Sequence, residues 1–308
     1  MKAESNKAVL AALIANMGIA VAKLVGFVFT GAASMLAEAI HSLADTSNQG
    51  LLFLGGRLAH RQATPDHPFG YGRERFFWSF IVALVIFSMG SLFALYEGVT
   101  KLLHPHDLES PLWAVGILGA AIVLEGWSLK TAIGESNKIR GGESWWNFIR
   151  HAKVPELPVV LLEDFGALIG LTLALTGVGL AMFTGDARFD AMGSIAIGVL
   201  LFAIAGVLAV EMRSLLLGEA GSQSTLRIIR QVFEAESGVR LIHMRTEHLG
   251  PEELLLCAKV EMDRNLSFES VVQAVNAVEK KIRDACPIAR VIYIEPDIHD
   301  PARVGDGE

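Results

Sequence analysis

Hydrophobic and polar positions follow two regimes along the chain. Up to about residue 216, apolar runs long enough to cross a bilayer, which takes ~20 mainly apolar residues, recur at roughly 8–30, 33–56, 76–102, 111–133, 157–183 and 189–216. Beyond residue 217 the runs shorten and change period. Leu226 to Ala235 has the spacing of an amphipathic helix, and Val239 to His248 and Leu254 to Met262 alternate as strands do. Ser267 opens a long helix to Ala285, and Arg290 to Ile294 reads as a last strand. Leu249-Gly250-Pro251 joins the first two strands with the composition of a hairpin turn. The pattern predicts a membrane all-α six-helix bundle over residues 1–216 and a small α+β domain of order αββαβ over residues 217–308.

Loop charges set the orientation of such a bundle. Lys2, Lys7, Arg57, Arg61, Arg73, Arg75, Lys138, Arg140, Arg150 and Lys153 fall on one side, against Lys101 and Arg188 on the other. Both termini, and with them the α+β domain, are therefore predicted to be cytoplasmic. The first apolar run exceeds the ~7–15 residues of a signal-peptide core, and a second follows almost at once, so it is expected to stay on the chain. Met1 to Lys7 run straight into it without a transit signal, as expected for a bacterial inner-membrane protein.

Composition sharpens this division. The 308 residues are 52% hydrophobic and only 19% charged, with a mean hydropathy of +0.44, whereas a soluble domain is about 25% charged. About half of the acidic residues lie in the last third, so the span region is poorer in charge than the average. A net charge of −7 argues against a nucleic-acid partner, which needs a basic surface. Cys257 and Cys286 both fall in the domain expected to be cytoplasmic and reducing, which excludes a disulfide framework.

Charges at bilayer depth cost ~2.5–3.5 kcal/mol on insertion scales, so the few in the apolar runs carry the most information. The second run holds Glu38, His41, Asp45, Asn48 and Gln49. His41 and Asp45 are one helical turn apart on one face, and an imidazole nitrogen with a carboxylate oxygen makes half of a tetrahedral site for a borderline metal such as Zn²⁺. The fifth run supplies Glu163 and Asp164 in Val159-Val160-Leu161-Leu162-Glu163-Asp164-Phe165-Gly166-Ala167. Neighbouring helical residues are ~100° apart, so at most one of the two faces His41 and Asp45 squarely. Helix four adds Glu125, a candidate proton relay or packing residue, and helix one adds Lys23, which either snorkels or pairs with an acid. Glu38, one turn before His41, is a candidate proton relay or a neighbour of the site or of its entrance.

Three stretches together resemble a known family. They are Ala37-Glu38-Ala39-Ile40-His41-Ser42-Leu43-Ala44-Asp45, the loop Asp66-His67-Pro68-Phe69-Gly70-Tyr71-Gly72-Arg73-Glu74-Arg75, and Phe189-Asp190-Ala191-Met192-Gly193-Ser194-Ile195-Ala196-Ile197-Gly198. With six spans and a small cytoplasmic domain they resemble the cation diffusion facilitators, zinc-type metal transporters. Glu163-Asp164 and Tyr96-Glu97-Gly98 are most similar to the branch containing the ninth type of mammalian zinc transporter.

The resemblance implies a homodimer in the lipid bilayer that exchanges divalent metal for protons and moves metal out of the cytoplasm, without an organic cofactor. It implies metal ligands at His41, Asp45 and Asp164 or Glu163. The family's helix-five His is missing: Val160 stands four residues before Asp164 and Val159 four before Glu163. Zn²⁺ is the default cargo, with Cd²⁺, Co²⁺, Ni²⁺, Mn²⁺ and Fe²⁺ open, because an oxygen-rich set shifts preference toward Mn²⁺ or Fe²⁺. The family also implies secondary metal positions, here at Asp66 and His67 in the loop and at His243, His248, Asp297 and His299 in the cytoplasmic domain. A domain-junction ion pair would join Arg73 to Glu219.

Metal ligands must be deprotonated, so metal binding releases protons and protonation releases metal. His41 titrates in the physiological range unless perturbed, which suits proton-coupled export. A transport-inactive, membrane-anchored metal sensor or interaction protein is the alternative, motivated by the missing His. An intramembrane enzyme lacks support, because no Ser/His or Glu-x-x-His arrangement accompanies the acids.

Overall fold

The computed structural model describes residues 17–105, 111–140 and 142–297, without the side chains of residues 33, 41, 45, 85–87, 111 and 139. Its contacts divide the chain into two compact units. The first contains the residues up to Arg57 together with Arg75–Arg213, and the second contains Leu58–Glu74 and the chain from Ser214 onward.

The first unit is helical. Its elements are α1 (Met17–Thr30), α2 (Ala33–Ala59), α3 (Glu74–Leu103), α4 (Pro111–Arg140), α5 (Trp145–His151), α6 (Glu156–Thr184) and α7 (Arg188–Leu217). Among the described residues, four stretches are long and apolar enough to cross a membrane: Glu74–Leu103, Leu112–Lys138, Glu156–Thr184 and Arg188–Leu217. Helix α2 has the length, at 27 residues, but Glu38, His41, Asp45, Asn48 and Gln49 reduce its apolarity.

Local chemistry explains the helix boundaries. Between α1 and α2 the chain reverses through Gly31 at φ 60°, a conformation that glycine adopts without steric cost. Helix α3 widens into a π-helical turn over Val82–Ile86, a feature that recurs at functional sites. Helix α6 ends on Gly185 in the left-handed region, whose N–H caps the Ala181 carbonyl.

Helix α5 lies in the stretch read from sequence as a loop. Ser144 caps its N-terminus by accepting from the Asn147 N–H. Trp145 meets Phe148 edge-on with centroids 6.3 Å apart, and the Arg140 guanidinium sits 4.3 Å from the Trp145 ring centroid. The next helix, α6, packs along α4.

The second unit is built around a small sheet. Its elements run α8 (Gln223–Glu234), β1 (Arg240–Gly250), β2 (Glu253–Glu261), α9 (Phe268–Ala285) and β3 (Ala289–Asp297). The strand order is β1-β2-β3. Strands β1 and β2 pair antiparallel, with Gly250 opposite Glu253 at the turn. Strand β3 pairs parallel to β2, so α9 serves as the crossover that a parallel pair requires. Leu254, Leu256, Ala258 and Val260 alternate inward from β2 and pack with Ile229, Phe233, Val278 and Ile282 of the two helices. Ser267 caps α9, accepting from the Ser270 N–H.

The loop Leu58–Glu74 belongs to this second unit. Its Gly72 lies against the hairpin tip so closely that a Cβ there would stand 2.7 Å from the Leu249 carbonyl oxygen.

Candidate functional site

Asp164 and Glu163 are both buried on α6, 6% and 2% exposed respectively. Desolvating a carboxylate is costly unless it is bonded, and Asp164 has a partner: the Ser128 hydroxyl of α4 donates to its Oδ2 at 2.9 Å. Glu125, one turn before Ser128 on α4, is within electrostatic reach of Asp164. Ser128 escaped the sequence reading, although its spacing of three from Glu125 puts the two on one helical face.

At the position of the missing His, Val159 is buried and Val160 half-buried, and neither supplies a donor atom. His41 and Asp45 occupy positions one turn apart on the continuous α2 helix; their side chains lie outside those described. Among the described residues, no group of three or more His, Cys, Asp and Glu side chains forms a metal cluster.

The charge of α1 is also buried. Lys23 does not snorkel: its ammonium is fully enclosed, donating to Glu38 Oε2 at 3.1 Å and to Ser42 Oγ at 2.6 Å. Glu38 lies against α6, where a Cβ on Gly170 would stand 2.6 Å from its Oε1. Buried charged groups therefore occupy α1, α2 and α6 of the first unit, with Glu125 of α4 half-buried.

A second buried ionic cluster joins the α1–α2 turn to the end of α3 and the start of α7. Lys101 Nζ lies 3.2 Å from Asp190 Oδ2 and donates to the Gly31 carbonyl at 2.7 Å. The Ser34 N–H donates to Asp190 at 3.3 Å, and the Ser34 hydroxyl also bonds to it. No sequence rule relates these positions, since Ser34 and Asp190 are 156 residues apart.

The secondary candidates fall in several environments. Asp66 and His67 are exposed, and the His67 ring meets Tyr71 at 4.6 Å between centroids, within a turn closed by Gly70 N–H to the His67 carbonyl at 2.9 Å. Arg73 pairs with Glu247 of β1, while the carbonyl of Glu219 accepts from the His248 N–H at 2.8 Å. His243 is exposed, and His248 is buried with Nδ1 3.1 Å from the Gly250 carbonyl oxygen. Asp297 accepts from Lys259 at 2.9 Å, and Glu295 lies 3.3 Å from the same ammonium. Hydrogen bonding to Asp297 and then Glu295 holds Lys259 above the usual lysine range. His299 lies outside the described residues.

Residues 9–217 match the cation efflux transmembrane domain. The chain belongs to the cation efflux family. Within it, this cation efflux protein is 36% identical to the mitochondrial proton-coupled zinc antiporter SLC30A9 of Xenopus laevis over 266 residues, covering 85% of the chain and 48% of the relative. It is 35% identical to the SLC30A9 of Homo sapiens over 254 residues, covering 82% and 45%. It is 29% identical to metal tolerance protein C4 of Arabidopsis thaliana over 256 residues, covering 82% and 56%. The chain thus spans about half the length of these curated relatives. Family and apolar helices together make it an integral membrane protein.

Proposed function

We propose that this cation efflux protein is a proton-coupled antiporter that exports a divalent metal ion, Zn²⁺ first, from the cytoplasm. It works as a homodimer of six-span protomers, residues 1–216, each carrying a cytoplasmic αββαβ domain, residues 217–308. Both termini face the cytoplasm of a bacterial cell, an orientation supported by the Lys and Arg bias of the loops. The zinc assignment is supported by the names of the SLC30A9 relatives and by the His and carboxylate donor types.

The observation that carries the proposal is Asp164, a buried carboxylate on α6 held by a hydroxyl from α4. A carboxylate with one oxygen so bonded keeps the other for a metal or a proton. His41, Asp45 and Asp164, with Glu163 beside it, supply the ligands. Oxygen donors and the nitrogen of His41 exclude neither Zn²⁺ nor harder ions, so the ligand set allows Mn²⁺ and Fe²⁺ as competitors.

The cycle follows from protonation. Near-neutral cytoplasm leaves the ligands free to take metal, and protons entering from the opposite side displace it. Each elementary charge moved across the membrane is worth ~2.3 kcal/mol per 100 mV, so the exchange ratio decides whether the potential helps. We further propose Asp66, His67, His243, His248, Asp297 and His299 as secondary metal positions, with Asp297 leaving its Lys259 partner to take metal, and Glu219 as an alternative partner for Arg73 at the domain junction beside Glu247.

Proteoliposomes holding the full chain and a zinc indicator test the reading. Imposing a pH gradient should drive zinc flux that collapses when the gradient is dissipated. Zinc binding without any flux would instead favour the membrane-anchored sensor, which the missing His on α6 makes the competing account.

A further inference from the structure

The Lys23–Glu38 pair has a chemical consequence for the proposed exchange, and the inference rests on that transport reading. Lys23 reaches from α1 to Glu38 at 3.1 Å and to Ser42 at 2.6 Å, and both charged side chains are completely buried. Glu38 stands one turn before His41 on α2. Among the described residues, few groups face Glu38. Lys23 approaches from α1 and Glu125 acts on it from α4, while α6 presents Gly170, which has no side chain to offer. Lys23 is also within electrostatic reach of Glu125.

A buried carboxylate needs a neutralising partner, which is either a proton or another cation. Here the cation is covalently attached to the chain and does not leave during a cycle. We propose that Lys23 is a tethered counter-cation that takes the place of a proton on Glu38, removing Glu38 from the exchange and lowering the number of protons moved per metal. Glu38 then shapes the field at the neighbouring metal position without acting as a carrier. The exchangeable protons reside on the acids that have no fixed cation.

Removing the ammonium changes the balance in a countable way. In Lys23→Met the carboxyl of Glu38 is neutralised by a proton when metal is absent. An arriving divalent cation one turn away supplies the missing positive charge and drives that proton off the carboxyl oxygen into solvent. In Glu38→Gln no proton is lost from the count, because Glu38 carried none.

Calorimetric titration of Zn²⁺ into the purified full chain, repeated in buffers of different ionisation enthalpy, counts the protons released per metal. Lys23→Met should release about one proton more than wild type, and Glu38→Gln should match wild type. A merely structural ion pair leaves the count in Lys23→Met unchanged, which overturns the proposal. A count lower by about one proton in Glu38→Gln also overturns it, since Glu38 would then be a carrier. If Lys23→Met does not fold, Lys23→Gln, which keeps a hydrogen bond to Glu38 without the charge, takes its place with the same expected count. A wild-type chain that binds no zinc overturns the transport reading and this proposal together, whereas zinc binding with an unaltered count in Lys23→Met overturns this proposal only.

Discussion

Ser128 Oγ on α4 donates to Asp164 Oδ2 on α6 at 2.9 Å, linking two helices that pack along one another. A hydrogen bond to a charged group contributes about 1.5–3 kcal/mol, and here it fixes which carboxylate oxygen remains available. Ser128→Ala should therefore weaken apparent zinc affinity by about tenfold or more. Ser128→Thr should restore it. Flux assays over a range of zinc concentrations would show the change in half-saturation; an unchanged value in Ser128→Ala removes the positioning role.

The ion pair of Lys101 with Asp190 predicts an asymmetry in stability. Removing one member of a buried pair costs about 3–5 kcal/mol, because the other is left uncompensated, whereas replacing both by apolar groups is often neutral. Asp190→Ala should lower the melting temperature of the full chain in detergent, and Lys101→Met with Asp190→Leu should recover most of the loss. Equal melting of Asp190→Ala and wild type would show that the pair carries no stability.

In the second unit Lys259 predicts a pH response. Its two carboxylate partners raise its value in the folded state above that of the unfolded chain. The stabilisation is fully present below the unfolded lysine value of about 10.4 and is lost as pH rises through the folded one. Asp297→Asn should remove part of it below that range and leave little difference above it. Thermal unfolding followed by circular dichroism from neutral to strongly alkaline pH checks this, and a mutant deficit that grows with alkalinity has the wrong sign.

Apolar periodicity disclosed the long helices because lipid-facing and packed positions alike must be apolar over a bilayer's thickness. Strand alternation in Leu254 to Val260 disclosed the sheet domain because one face packs on helices and the other does not. Pairings between distant residues were beyond sequence reasoning. Nothing local to Lys23 names Glu38, 15 residues away, as its partner, or Glu247 as that of Arg73, 174 residues away. Ser128 was passed over because a hydroxyl in an apolar helix costs little and so leaves no signal, whereas Asp164 drew attention by its charge. Helix α5 was missed because seven residues are too few for periodicity to emerge; the Ser144 cap was the available clue.

Asp164 is the residue on which the transport account depends most. Zinc flux into proteoliposomes under an imposed pH gradient, compared between wild type and Asp164→Asn reconstituted at equal density, tests it directly. The substitution preserves size and the bond from Ser128 but removes the charge that binds metal or proton. The account predicts gradient-driven flux in wild type and its near-complete loss in Asp164→Asn; flux at the wild-type rate in Asp164→Asn would contradict it.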